Sequence, residues 1–411
     1  MNNTRLPNGW VIKKMPEVVK WSSGGTPKAS EPKYYNHGTI PWLIIGDLND
    51  GVVTTSQSMI TELGLKNSSA KMVPKNTVLI AMYGSIGKLG VTGIECCTNQ
   101  AIAFAKELRG VTTKYLFYYL MRLKPELISK GKGGTQKNIS LTILNSFDVV
   151  VPPVIEQNRI VCQIEESLSQ LDSAVEMLNK TKQQLEIYRQ AVLKEAFDGN
   201  LTNSGKAKED ILKNYIEKPK YGTSKKCSYL ADNTYKPVYR IPNINTKTAR
   251  IDHTDIKYAH FDKKELETIR LQNNDLLIIR SNGSVSLVGR VALVTDDDTQ
   301  GTFAGYLMRL RIINQQMLFP KYLLWLLQSK SAREYIESKA KSTSGVNNIN
   351  SEEISNLTIP YYNFQSQKAI VEAIESRISI YDSIQQVVTT SLQQSEALRQ
   401  SILKQAFEFN E

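Results

Sequence analysis

Apolar positions recur at alternating spacings of three and four across Val154–Phe197, a stretch that follows Pro152-Pro153 and contains neither Gly nor Pro. Val161, Ile164, Leu168, Leu171, Val175, Leu178, Leu185 and Val192 fall on one line, and Ala196 continues it. This is the period of a supercoiling helix, so the pattern predicts one unbroken helix with an apolar seam. Lys182 and Arg189 interrupt the seam, where long basic side chains can lie along its edge. Such a stripe cannot stay in water and requires a partner helix.

The partner lies in the same chain. Shifted by 210, Gln157, Ile160, Val161, Ile164 and Glu165 return as Gln367, Ile370, Val371, Ile374 and Glu375. Arg189-Gln190, Leu193-Lys194 and Ala196-Phe197 return as Arg399-Gln400, Leu403-Lys404 and Ala406-Phe407. The second seam is expected at Val371, Ile374, Ile378, Tyr381, Val388, Leu392 and Ile402. Helical composition alone would not produce R-Q-x-x-L-K-x-A-F twice in one register, so the chain carries an internal repeat.

Between the helices the pattern shortens to strand-like runs punctuated by Gly. In the first block, Trp42–Ile45, Val78–Met82, Ala101–Phe104 and Val149–Val151 read as strands. Thr113 to Leu123 reads as an amphipathic helix stopped before Pro125. The second block repeats the order. Val238–Ile244 matches Trp42–Leu48, Asp275–Arg280 matches the strand ending at Met82, and Lys321-Tyr322-Leu323 matches Lys114-Tyr115-Leu116. Leu357–Pro360 is matched to Val149–Pro152. The expected organisation is a block at 1–153, a helix at 154–200, a block at 201–362 and a helix at 363–411. The predicted fold class is mixed α/β (α+β). Two globular domains are separated by two long antiparallel helices forming an intramolecular coiled coil, with a pseudo-twofold internal repeat.

Composition changes this picture in one respect. The net charge is +11, yet residues 154–198 hold five basic against eight acidic side chains, and residues 363–411 four against six. The basic excess therefore belongs to the blocks. A basic balance on globular blocks suits a polyanion partner, although excess Lys also serves solubility. No apolar run approaches the roughly 20 residues that span a bilayer, and the start of the chain has no hydrophobic signal core, so a cytoplasmic protein is expected. Cys96, Cys97, Cys162 and Cys227 include no C-x-x-C pair, and His37, His253 and His260 lack metal-like spacing, so no metal is expected.

Three kinds of loop carry Gly with basic or amide side chains. Gly84, Ser85, Ile86, Gly87 and Lys88 form one, with Arg280, Ser281, Asn282, Gly283 and Ser284 as its counterpart. Lys132, Gln136 and Lys137 lie in a second, echoed by a third with Lys341, Asn347 and Asn348. Such loops can simply close turns. They can also offer backbone N–H groups and Lys to phosphate, and Arg, Asn and Gln to purine edges. Their recurrence in both basic blocks favours DNA: Arg280, Ser281 and Asn282 are expected to read bases, and Lys88 to touch phosphate or base.

Catalytic readings are poorly supplied. Gly84 to Lys88 is not a nucleotide-binding loop, because Met82 stands where its first Gly belongs and Leu89 where Ser or Thr would follow the Lys. Neither Val151-Pro152-Pro153-Val154 nor Ile359-Pro360-Tyr361-Tyr362 carries the amide or acid that an amino-methyltransferase needs before its prolines. Phe303-Ala304-Gly305-Tyr306 lacks the glycines of a cofactor loop. A self-contained methyltransferase or nuclease is one rival reading, and a coiled-coil scaffold without nucleic acid is another.

The order of several motifs resembles the specificity subunit (HsdS) of type I restriction-modification systems. The junction Val151-Pro152-Pro153-Val154-Ile155-Glu156-Gln157 and its echo from Ile359-Pro360 to Gln367 carry the likeness. So do Ser22-Ser23-Gly24-Gly25-Thr26-Pro27-Lys28, Ile44–Leu48, Gly133–Ile139, Tyr221–Lys226 and Tyr239–Ile244. The resemblance implies two target recognition domains that read the halves of a bipartite double-stranded DNA site. The helices would be spacers and docking surface for two methyltransferase subunits, with restriction subunits joining them. S-adenosylmethionine, ATP and Mg would belong to those partners, and no cofactor and no catalytic residue to this chain. In the second copy Ser366 replaces Glu156, and no clear Gly-Gly-Thr-Pro precedes Tyr221.

Overall fold

The structure, a computed structural model, describes residues 6–131, 138–202, 204–229, 234–343 and 345–408. The chain divides into two compact units, residues 1–178 with 390–411, and residues 179–389.

In the first unit, among the described residues, a five-stranded sheet runs in the order Val19–Ser23, Ile102–Leu108, Val78–Ala81, Leu89–Thr92, Gly51–Val53. Its central strand Val78–Ala81 is buried on both faces, so it reads as a continuous apolar run. Val78 and Ile80 face one core, with Leu89, Tyr115, Leu116 and Leu120. Leu79 and Ala81 face another, with Leu43, Cys96 and Ile102. A helix α1 (Thr113–Ser129) covers the first core. It runs past Pro125, against the expected stop, and Leu127 beyond the proline is fully buried. Burial of that last turn outweighs the single backbone hydrogen bond that an internal proline removes.

The second unit repeats the plan. Its six-stranded sheet has Leu276–Ile279 at the centre, with Leu276 and Ile278 in one core and Leu277 and Ile279 in another. The match of Trp42–Leu48 to Val238–Ile244 holds in register. Trp42 pairs parallel with Cys97 as Val238 does with Thr302, and Asp47 and Asn243 each accept the backbone N–H three residues back, at 2.8 Å. The match of Leu357–Pro360 to Val149–Pro152 slips by two. Strand Asp148–Val151 pairs Val11 with Val151, and Thr358–Tyr361 pairs Lys208 with Tyr361, so Pro360 takes the place of Val150. The offset of 210 thus extends through the strand.

The long helices are α2 (Val154–Phe197) and, after a short helix α3 (Pro320–Leu326), α4 (Phe364–Ala406). Along the seam Val161, Ile164, Leu168, Leu171, Leu185, Val192, Val371, Ile374, Ile378, Tyr381 and Val388 are buried, while Val175, Leu178, Leu392 and Ile402 are half-buried. In the first unit the helices are tied by the Arg399–Asp172 ion pair. In the second, the Tyr381 hydroxyl donates to Glu186 Oε1 at 2.7 Å. In each unit residues rising along α2 meet residues falling along α4, so the segments are antiparallel. Arg189 leaves the seam and donates to Gln328 Oε1 at 2.7 Å.

The repeat is clearest where helix meets block. Gln157, fully buried, accepts the Thr112 N–H at 2.8 Å and donates to Gly110 O at 2.7 Å and Pro152 O at 2.9 Å. Gln367 accepts the Phe319 N–H at 2.7 Å and donates to Met317 O and Tyr362 O, both at 2.8 Å. Each glutamine thereby satisfies backbone groups at the start of α1 or α3 that would otherwise be orphaned. No described helix is long and apolar enough to cross a membrane.

Candidate nucleic-acid interface

In the second unit a cleft opens where five sequence-distant segments meet, and Gly222 is what lets two of them approach closely. A Cβ there would stand 2.1 Å from Phe303 O and 2.4 Å from Ala304 O. Without one, the Thr223 N–H donates to Phe303 O at 2.8 Å and the Gly305 N–H to Thr223 O at 2.7 Å. Gly24 has the same role in the first unit, where a Cβ would stand 2.0 Å from Thr98 O. The second copy therefore keeps one glycine of the Gly-Gly pair, at Gly222, and replaces the other with Thr223.

The cleft is lined by Tyr221, Lys225, Arg240, Lys257, Arg280 and Tyr306, among others. Two of its cations are neutralised: Lys225 by Glu265 at 2.6 Å and Arg240 by Asp255 at 2.8 Å. The hydrogen bond from Arg240 holds the Asp255 carboxyl below its usual range, and the bond from Lys225 does the same for Glu265. The other two rest on aromatic faces. Lys257 Nζ stands 4.6 Å from the Tyr229 ring centre, and the Arg280 guanidinium carbon 4.4 Å from that of Tyr221. Arg280 Nη1 donates to Gly305 O at 3.2 Å, while its buried Nε has no acceptor among the described residues. Exposed tyrosines beside cations are groups that stack on bases and hold phosphate.

The sequence-predicted loops of the second unit come together at one end of its central strand. Ser281 pairs with Asn348 and Asn282 with Asn347, and Lys341–Thr343 adds a third strand, which joins the two predicted loops of the second unit. Asn347 Nδ2 also donates to Gly283 O at 2.9 Å. Gly283 and Ser284 are exposed and Asn282 half-buried. Ser281 is 5% exposed, yet it lines the cleft beside Arg280. In the first unit Tyr83 bridges Asn138, leaving Gly84 and Ser85 exposed at the tip. Ile86 is a correction, being 6% exposed and part of the core, and Gly87 is a buried turn residue at φ +73°. Lys88 is half-buried, with Nζ 3.4 Å from Ile45 O. Lys132, Gln136 and Lys137 lie outside the described residues.

Backbone pairing also revises which residues correspond. The Ala81 N–H donates to Lys88 O and the Ile279 N–H to Arg290 O, both at 2.8 Å. Arg290 is therefore the counterpart of Lys88. The segment Arg280–Arg290 has eleven residues against seven in Met82–Lys88, and this insertion hid the match from the sequence. Tyr221, Lys225, Arg240, Lys257 and Tyr306 were also missed as site residues; the signal for Tyr221, Lys225 and Arg240 was the family wording at Tyr221–Lys226 and Tyr239–Ile244. Among the described residues no cluster of His, Cys, Asp and Glu could hold a metal ion.

Two copies of one α/β unit stand in a single chain, and the second carries a basic aromatic cleft beside paired polar loops, groups whose chemistry suits a polyanion. The family described as the type I restriction modification DNA specificity domain matches residues 7–187. The chain is 24% identical to the EcoKI specificity subunit of Escherichia coli K12, over 99% of this chain and 90% of that protein. It matches the StySPI specificity subunit of Salmonella potsdam equally, at 24% over the same shares. Among solved structures, a chain from a study of assembly and conformational transition in the type I R-M system superimposes with TM-score 0.75 at 16% identity, covering 98% of this chain and 99% of that one. The HsdS subunit of Thermoanaerobacter tengcongensis gives TM-score 0.60 at 16% identity, with 99% and 98% covered. The chain is thus similar to type I specificity subunits over nearly its whole length, and residues 7–187 match their domain model. The enzyme and scaffold readings receive no support from these relatives.

Proposed function

We infer that this chain is the DNA-recognition subunit of a type I restriction-modification system, with each unit reading one half of a bipartite double-stranded site. The observation that carries the reading is the second unit's cleft, where Arg280 has no carboxylate partner among the described residues and Lys257 lies over the Tyr229 ring, beside the loop Asn282–Ser284. The chain performs no chemistry. It positions two methyltransferase subunits, and restriction subunits through them, in the cytoplasm. S-adenosylmethionine, ATP and Mg are bound by those partners.

Two docking faces are supported by a second apolar line on the long helices. Tyr188 on α2 and Leu398 on α4 are one repeat apart and 43% and 51% exposed. Ile384 and Val387 extend that face of α4, at 41% and 63%. An apolar face repeated in register suits two copies of one partner. The helices themselves are the spacer between the halves of the site.

The test is titration of labelled duplex DNA with the full-length chain across a salt series. Binding that weakens as salt rises, with one sequence retained over competitor, supports the reading. Salt-independent or sequence-blind binding opposes it.

A further inference from the structure

We propose that Arg280 selects a guanine in the half-site read by the second unit, that Tyr221 is its positioning residue, and that the first unit has no counterpart. The inference rests on the DNA-reading role proposed above and names the base that one side chain reads.

Arg280 leaves the central strand at its end, where the Ile349 N–H donates to its carbonyl at 2.9 Å. The guanidinium then lies over the Tyr221 ring, 4.4 Å from its centre. That ring is itself fixed, because the Tyr221 hydroxyl accepts the Ser351 N–H at 2.9 Å and Gly222 next to it is packed against Phe303 O. The contact with the ring face and the bond from Nη1 to Gly305 O together restrict the guanidinium. Among the described residues no carboxylate neutralises it, and one of its five N–H groups donates to Gly305 O, while its buried Nε has no acceptor. What remains is a planar fork of restricted orientation at the wall of a cleft.

A phosphate contact needs charge but little orientation, which is why Lys serves there as well as Arg. A base edge needs the orientation. Guanine presents two adjacent acceptors, O6 and N7, in the major groove, and a planar guanidinium matches that pair. Adenine offers a donor at one of the two places, and pyrimidines offer no such pair.

The first unit is built differently at the same place. The Ile139 N–H donates to Met82 O at 2.9 Å, as the Ile349 N–H does to Arg280 O, so Met82 occupies the position of Arg280. Met82 is 5% exposed and belongs to the core. Arg240 is likewise replaced by Ile44, and Tyr221 by Ser23. The first unit's half-site is therefore read without this fork.

The experiment is selection from a random duplex pool with the full-length chain and its Arg280→Ala, Arg280→Lys, Tyr221→Phe and Tyr221→Leu variants, each checked for an unchanged melting curve. The wild type should enrich guanine at one position of one half. Arg280→Ala should lose that preference by about 5- to 150-fold, with the other positions unchanged. Arg280→Lys keeps the charge and should lose the preference too, while Tyr221→Phe keeps the ring face beside the packed Gly222 and should lose less of it than Tyr221→Leu. Tyr221→Leu should weaken preference at that same position only. An intact preference in Arg280→Ala overturns the assignment. So does a uniform weakening with a shallower salt dependence, which would make Arg280 a phosphate contact. A wild type that enriches no sequence would instead overturn the DNA-reading role itself.

Discussion

Phe407, near the end of the chain, stands edge-on against Tyr115 of α1 with ring centres 5.4 Å apart and planes at 72°. Phe197, one repeat earlier, meets Tyr322 of α3 at 5.3 Å and 78°. The last turn of each long helix is thus built into the core of a block, which is why the R-Q-x-x-L-K-x-A-F string is kept in both copies. Phe407→Ala should cost about 3–5 kcal/mol, as buried Phe truncations do. Denaturant unfolding with probes in each unit should show that loss in the first unit, and the loss from Phe197→Ala in the second.

Gln157 and Gln367 should be intolerant of charge. Gln157→Ala leaves the Thr112 N–H and two carbonyls without partners, at about 1–3 kcal/mol each at most. Gln157→Glu is worse near neutral pH, because a carboxylate then faces the carbonyls of Gly110 and Pro152. Burial against those acceptors raises the pKa of the introduced acid, so the extra loss shrinks as pH falls. Urea midpoints at pH 7 and pH 5 for the Ala and Glu variants check the crossing. Equal midpoints at both pH values would contradict the assignment.

The vicinal thiols give a pH prediction. Burial, with the neighbouring Cys97 charge, pushes Cys96 up to about 12, and burial pushes Cys97 up to about 11. The thiolate is the reactive form, so at pH 8 both should resist alkylation in the folded chain, while exposed Cys162 is modified. A folded-state pKa raised above the unfolded value of about 8.5 stabilises the fold fully below that value. This stability is then lost as pH rises toward 11 and 12, by at most about 1.4 kcal/mol per unit for each thiol. Mass spectrometry after timed labelling reads the order of reaction.

The helices were legible because their period runs unbroken through a long stretch and recurs at a fixed offset. The strand cores were legible because strands buried on both faces are continuous apolar runs. Pro125 misled, since tertiary burial of Leu127 carries α1 past a residue that locally opposes helix. Pro360 misled as well: aligning prolines placed it opposite Pro152, while strand pairing sets it opposite Val150. The cleft was the least legible part. Tyr221, Arg240, Lys257 and Arg280 come from segments that only the fold brings together, and the longer loop before Arg290 concealed its kinship with Lys88.

The exposed apolar line on the helices predicts selective loss of partners. Tyr188→Asp and Leu398→Asp place charge on faces that are exposed in the chain alone, so its melting temperature should change little. Co-purification with a methyltransferase subunit should fall for each single variant and vanish for the double. Undiminished co-purification of the double variant would assign docking elsewhere.

The central claim is that two units of one chain read two halves of one DNA site. Its most direct test is sequencing of methylated positions in a host that carries this chain with its partner subunits. The account predicts a two-part motif with a fixed gap of unspecified bases. It also predicts that exchanging residues 201–362 for the corresponding block of another specificity subunit changes one part and leaves the other intact. A single contiguous motif, or an exchange that changes both parts together, would contradict it.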